Sequence, residues 1–230
     1  MRVFITGSNR GLGFEFTRQL LARGEQVFAS CRKPDKAAGL TKLAQEHPDR
    51  LTILQLEVTD QEQIEAVAAK VDRMADGLDL LINNAGILYE GERFGSLESE
   101  QLLETLQVNS VAPVMVAQQF VPLLRKGEQP KVVNISSGLG SISMAGSSNY
   151  SYSASKAALN MFVKLMANTL MPEGITAIVM DPGWVQTDMG GKGAEITPEQ
   201  SISGMLSVID GLQLVDSGKF YHYSGSEVPW

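Results

Sequence analysis

Short apolar runs alternate with longer amphipathic stretches along the whole chain, and this alternation limits the possible folds more than any single residue does. The apolar runs lie at residues 2–6, 26–31, 51–56, 78–83, 131–136, 176–181 and 219–223, each of strand length. Helix patterns fall between them at 11–23, 36–46, 60–74, 99–125, 152–170 and 198–212. Runs that are apolar throughout, rather than at every second residue, suit strands buried on both faces. Joined by helices long enough for crossovers, they predict a doubly wound α/β domain: a parallel sheet of the Rossmann type with helices on both faces. Two helix starts are marked by sequence. "DQEQ" from Asp60 and "TPEQ" from Thr197 both fit capping boxes, the second with Pro198 at the first helical position.

The 230 residues fit a single domain covering 1–230, because α/β folds of this length keep one core. A formal net charge of -7 argues against nucleic acid or an anionic membrane surface as the main partner. No apolar run approaches the ~20 residues that span a bilayer. The sequence opens directly on the strand "MRVFITG" and contains one cysteine, Cys31, so a cytoplasmic location is expected. With one cysteine and two distant histidines, His47 and His222, no metal site is expected. The least regular stretch, residues 136–155, is rich in serine and glycine. Since only one further strand–helix–strand set follows, it reads as a strand-to-helix loop at the carboxyl edge of the sheet, where such folds bind ligands.

Two motifs carry chemistry. "TGSNRGLG" leaves the first strand and enters the first helix. In that context small residues let the backbone approach a pyrophosphate, and the helix N-terminus supplies amide groups and a positive dipole. In "NYSYSASKAALN", Tyr152 and Lys156 are four apart on a predicted helix and share a face, whereas Tyr150 points elsewhere.

Taken in order, "TGSNRGLG", "NNAG" at 83–86, Asn109 in "LQVNSVAP", "NISS" at 134–137, the Tyr152–Lys156 spacing and "PGWVQT" at 182–187 resemble the motif set of the short-chain dehydrogenase/reductase family. The details "SSGLGSI", "PGWVQTDMGG" and "YSGSEVPW" look most like its C-factor-like and sniffer-type carbonyl reductase branch. The resemblance implies a catalytic set of Asn109, Ser137, Tyr152 and Lys156. Tyr152 would be the acid/base and Ser137 would steady the substrate oxygen. Lys156 would hold the nicotinamide ribose and favour the phenolate, and the Asn109 side chain would keep a water in the proton path. Lowering a tyrosine pKa from ~10 by ~3 units takes ~4 kcal/mol of differential stabilisation. In much of the family the serine lies thirteen residues before the tyrosine; here Leu139 holds that place, so Ser136 and Ser141 remain alternatives to Ser137.

The resemblance further implies cofactor contacts from Gly7, Asn9, Arg10, Gly11, Leu12 and Gly13 in the turn, and from Glu57 and Val58 near the adenine. Asn83, Ala85 and Gly86 would flank the cofactor, and Pro182, Gly183, Val185 and Thr187 would lie beside the nicotinamide. Charge selects the cofactor. Enzymes that take NAD place an acid after the second strand, whereas "FASCRKP" puts Arg32 and Lys33 there, with Arg10 nearby. Guanidinium groups suit a phosphate, which predicts NADPH over NADH. Leu88, Tyr89, Leu139, Met144, Tyr150, Trp184 and Met189 are left as substrate walls.

The expected activity is reduction of an aldehyde, ketone or quinone-like carbonyl. The alternative is an NADP(H)-binding sensor or C-factor-like developmental signal without turnover. Family members commonly pair through the two long helices. A homodimer, or a tetramer, is therefore expected, with Met115, Phe120, Phe162 and Met166 as contacts. The Ser153–Lys156 S-x-x-K has no S-D-N or K-T-G after it, and no G-x-S-x-G exists, so serine hydrolases are excluded.

Overall fold

A computed structural model describes residues 1–230. Its seven strands are β1 (Arg2–Ile5), β2 (Gln26–Cys31), β3 (Leu51–Gln55), β4 (Leu80–Asn83), β5 (Lys131–Ile135), β6 (Thr176–Asp181) and β7 (Phe220–His222). All pair in parallel in one sheet of order β3-β2-β1-β4-β5-β6-β7. The chain winds outward from β1 to β3 and then returns to lay β4 against the other side of β1. That reversal opens a crevice at the carboxyl ends of β1 and β4.

Successive strand residues point to opposite faces, so each strand serves two cores. Phe4, Phe28, Leu81, Val132 and Val179 pack under α3 (Gln61–Met74), α5 (Ala112–Leu124) and α6 (Tyr150–Leu170). Their neighbours Val3, Ile5, Val27, Ile82 and Ile178 pack under α1 (Gly11–Ala22), α2 (Ala38–Glu46) and α7 (Pro198–Gly211). Burial of each large apolar side chain contributes roughly 1.5–3 kcal/mol. Phe120, expected on an outer helix face, is instead fully buried, its ring 4.3 Å from that of Phe4. Met115 and Met166 also lean into that core.

The helix expected over 99–125 is three pieces: α4 (Ser99–Leu106), a π-helical turn (Gln107–Val111) and α5. Pro113 has no N–H to offer the Asn109 carbonyl four residues back, and the chain widens there, with Ala112 N donating to the Gln107 carbonyl. The Thr197 capping box forms in full. At Asp60 only half forms: the carboxylate accepts from Gln63 N, but the Gln63 side chain turns to Glu57 N instead. The helix expected from residue 36 begins as a 3-10 turn (Pro34–Lys36) before α2, and α6 starts two residues early, at Tyr150.

Candidate active site

A cavity of about 1170 Å³ runs along the carboxyl ends of the strands, from the loops after β2 and β3 to those after β4, β5 and β6. The glycine-rich turn forms its floor. Gly7 and Gly11 have φ of +69° and +54°, and a Cβ on Gly7 would sit 2.9 Å from Ala85 Cα. A side chain at Gly7 is therefore barred by both strain and space. Helix α1 starts without a side-chain cap and without an acid in its first turn, so its N-terminal amides stay open toward the cavity. These features fit a pyrophosphate.

Asn9, Arg10, Gly11, Leu12, Glu57, Val58, Ala85 and Gly86 line the cavity with Gly7, as do Pro182, Gly183, Val185 and Thr187. Two of the expected contacts do not. Gly13 is a packing residue: a Cβ there would meet the Gly7 carbonyl oxygen at 2.3 Å. Asn83 is buried beneath the site, its amide donating to Pro113 O at 3.1 Å and Asn134 Oδ1 at 2.9 Å. The member of the "NNAG" pair that lines the cavity is Asn84, which sequence reasoning passed over. Its amide donates to the carbonyls of Thr6 and Gly7, while Thr6 Oγ1 accepts from Asn84 N and Ala85 N, so the turn and the end of β4 are locked together. Strand parity explains the exchange, since β4 ends with Asn83 pointing into the sheet's packing layer.

Arg32, Lys33 and Lys36 line the adenine end; Lys36 was not foreseen. Arg10 pairs with Asp188 at 2.8 Å and Arg32 with Glu57 at 4.0 Å. Both arginines are about two-thirds exposed (67% and 69%), so neither pair holds its guanidinium strongly.

Tyr152 and Lys156 face the cavity from one side of α6, both nearly buried, at 8% and 4% exposure. The Lys156 ammonium donates to the Ile135 carbonyl at 2.7 Å. Burial lowers its pKa to about 8. The Tyr152 pKa is raised rather than lowered. Burial raises it, the Asp181 carboxylate raises it further, and a hydrogen bond with Ser137 acts in the opposite direction. Lys156 gives its hydrogen bond to a backbone carbonyl rather than to the phenol oxygen.

Of the three serines, Ser136 and Ser137 line the cavity; Ser137 is the one whose hydroxyl opposes the rise in the Tyr152 pKa, and it also accepts from Leu139 N at 3.2 Å. Ser136 donates to Asn160 Oδ1 at 2.7 Å, and Ser141 pairs with Ser143 at 3.0 Å. The Asn109 side chain, expected to keep a water in the proton path, is engaged by protein groups. It is fully buried, both amide hydrogens go to Ile87 O and Ser155 Oγ, and its oxygen accepts from Ile87 N. It ties the π turn to the strand end and to α6. Ser110 Oγ donates to Ser155 O at 2.7 Å and completes that seam, so Ser110 and Ser155 are positioning residues that no short motif revealed.

Leu88, Leu139, Trp184 and Met189 form walls of the cavity. The other expected wall residues lie outside it: the Tyr89 hydroxyl bonds Glu104, Tyr150 packs on Phe94 with centroids 6.1 Å apart, and Met144 is an exposed loop residue.

A parallel sheet of this order, with a glycine turn at its reversal and a Tyr–Lys pair above it, defines a dinucleotide-binding oxidoreductase of the α/β class. The family description "short chain dehydrogenase" matches residues 1–196, and the chain belongs to that family. Over its whole length it is similar to an NADPH-bound carbonyl reductase from chicken fatty liver: 39% identity, TM-score 0.94, and 98% of that chain covered. It is likewise similar to the carbonyl reductase Sniffer of D. melanogaster, with 33% identity, TM-score 0.96 and 99% of that chain covered. The C-signal protein of Myxococcus xanthus is 42% identical over 154 residues, which are 66% of this chain and 93% of that protein. No helix is long and apolar enough to cross a membrane.

Proposed function

We propose that the protein is an NADPH-dependent carbonyl reductase with Tyr152 as proton donor. One observation carries this reading: Tyr152 and Lys156 open from one helix face into the same cavity that the glycine-rich turn and the Arg32–Lys36 cations line. Similar carbonyl reductases that hold NADPH or NADP support the cofactor.

The bound nicotinamide would supply the hydride. The amides at the start of α1 and the glycine turn would hold the pyrophosphate, and Arg32, with Arg10 and Lys33, the 2′-phosphate. Ser137 would hold the substrate oxygen through its hydroxyl. Tyr152, kept protonated by burial and by Asp181, is set to give its proton to that oxygen as negative charge develops there. Lys156 would hold the ribose hydroxyls once it turns from Ile135 O. Asn109 and Ser110 would fix α6 through Ser155, and so set the height of Tyr152 over the cavity floor.

A homodimer would use the outer faces of α4 and α6, where Leu103, Met161, Phe162 and Leu165 are exposed. A cytoplasmic location accords with the single buried thiol of Cys31. The deciding experiment is NADPH oxidation against a panel of aldehydes, ketones and quinones. Turnover that vanishes in Tyr152→Phe supports the reading. Cofactor binding without turnover of any carbonyl would replace it with a sensor.

A further inference from the structure

The cavity is electrostatically divided along the strand order. Its cations follow β1 and β2: Arg10, Arg32, Lys33 and Lys36, with Glu57, paired to Arg32, the one acid among them. On the far side of the β1–β4 reversal, where Tyr152, Leu139 and Trp184 stand, the charged groups at the wall are different. Glu90 comes from the loop after β4, Glu104 from α4, and Asp188 from the loop after β6. Asp188 is matched by Arg10. Glu90 and Glu104 have no cationic partner: neither forms an ion pair, and Glu104 accepts only the Tyr89 hydroxyl. Both are exposed at the mouth. Lys156 is the one cation on this side, and it is buried and committed to Ile135 O. Arg93 and Lys192, in the same loops, do not line the cavity.

A substrate carboxylate entering here would meet two uncompensated carboxylates before it reached the tyrosine. An ammonium group would be drawn in by the same field, because low-dielectric walls focus charge at a cleft mouth. We infer that Glu90 and Glu104 restrict the enzyme to neutral and cationic carbonyl substrates, with an apolar body against Leu88, Leu139 and Trp184 and no carboxylate at the outer end. This inference rests on the carbonyl reductase reading and adds the charge class of the substrate to it.

The test is a series of three para-substituted benzaldehydes: the 4-carboxylate, its neutral methyl ester and the 4-trimethylammonium compound. For each, kcat/KM is measured with NADPH on the wild type and on Glu90→Gln/Glu104→Gln. Comparing each ratio between the two proteins cancels the intrinsic reactivity of the aldehydes. The cation-to-anion ratio should fall about tenfold in the double variant, and should also shrink in the wild type at high salt, as Coulombic discrimination at an exposed mouth must. Calorimetric binding of the three corresponding benzyl alcohols to the cofactor-free protein should show the same order without any turnover. A ratio indifferent to the double substitution, or a wild-type preference for the carboxylate, overturns the inference even though the neutral ester is reduced. If not even the neutral ester is reduced, the carbonyl reductase reading itself has failed, and this inference falls with it.

Discussion

The Lys156 ammonium lies over the face of the Tyr152 ring, 5.5 Å from its centre, and gives its hydrogen bond to the Ile135 carbonyl. In this arrangement burial keeps Tyr152 protonated, as its proposed role of proton donor requires. Tyr152→Phe should therefore remove nearly all turnover while NADPH binding stays within a few-fold, since the ring that borders the cavity is kept. Tyr150→Phe, whose hydroxyl lies outside the cavity, should retain most activity. Steady-state rates alongside cofactor titrations check both.

Burial of Lys156 should be visible in stability. Its folded pKa, about 8, is below the 10.5 of an exposed lysine, so the unfolded chain holds the extra proton between these values. Stability from this group rises as pH goes from 8 to 10.5, by up to ~3 kcal/mol. Tyr152 has the opposite sign: its raised pKa keeps it protonated when folded, and stability falls as pH climbs past the ordinary tyrosine value. Lys156→Met should be inactive, yet more stable than the wild type at pH ~7, and should lose the rise above pH ~8. Melting temperatures of both proteins across that range decide it.

Cofactor preference should follow Arg32. Arg32→Ala removes a charge-assisted hydrogen bond worth ~1.5–3 kcal/mol and should raise the NADPH dissociation constant roughly ten- to hundredfold, with NADH hardly moved. Arg32→Asp should tip the preference toward NADH. Glu57→Gln frees Arg32 from its 4.0 Å partner and should tighten NADPH by a few-fold. Equal shifts for both cofactors would assign Arg32 to the fold instead.

Gly13→Ala should destabilise the fold by roughly 1–3 kcal/mol, because the new methyl meets a backbone oxygen at 2.3 Å that the turn cannot move without losing its shape. Gly146→Ala, with nothing within 4 Å, is the matched control and should be near neutral. Thermal denaturation separates them.

Assembly should depend on the exposed residues of α4 and α6. Leu165→Lys places a charge on the proposed two-fold face and should shift sedimentation from dimer toward monomer, with little change in melting at low concentration. A wild type that sediments as a monomer at micromolar concentration would count against the dimer.

The sequence by itself determined the strand–helix alternation, the parallel sheet, the glycine turn and the Tyr152–Lys156 face. Each of these depends on periodicity or local spacing, and residues four apart on a helix meet whatever the rest of the chain does. Phe120 could not be sided this way: α5 is apolar almost all round, and only its seat on Phe4 shows which face is core. Tertiary structure also decided which asparagine of "NNAG" reaches the cavity, because that depends on where β4 ends. It gave Asn109 a tie between the π turn and α6 that no local pattern announces, since Ile87 and Ser155 approach it from elsewhere in the chain. It reversed the expected direction of the Tyr152 pKa, because burial and the Asp181 charge are sums over neighbours distant in sequence. Spacing fixes which side chains share a face; what surrounds that face, and hence its chemistry, is set only when separate strands and loops converge on it.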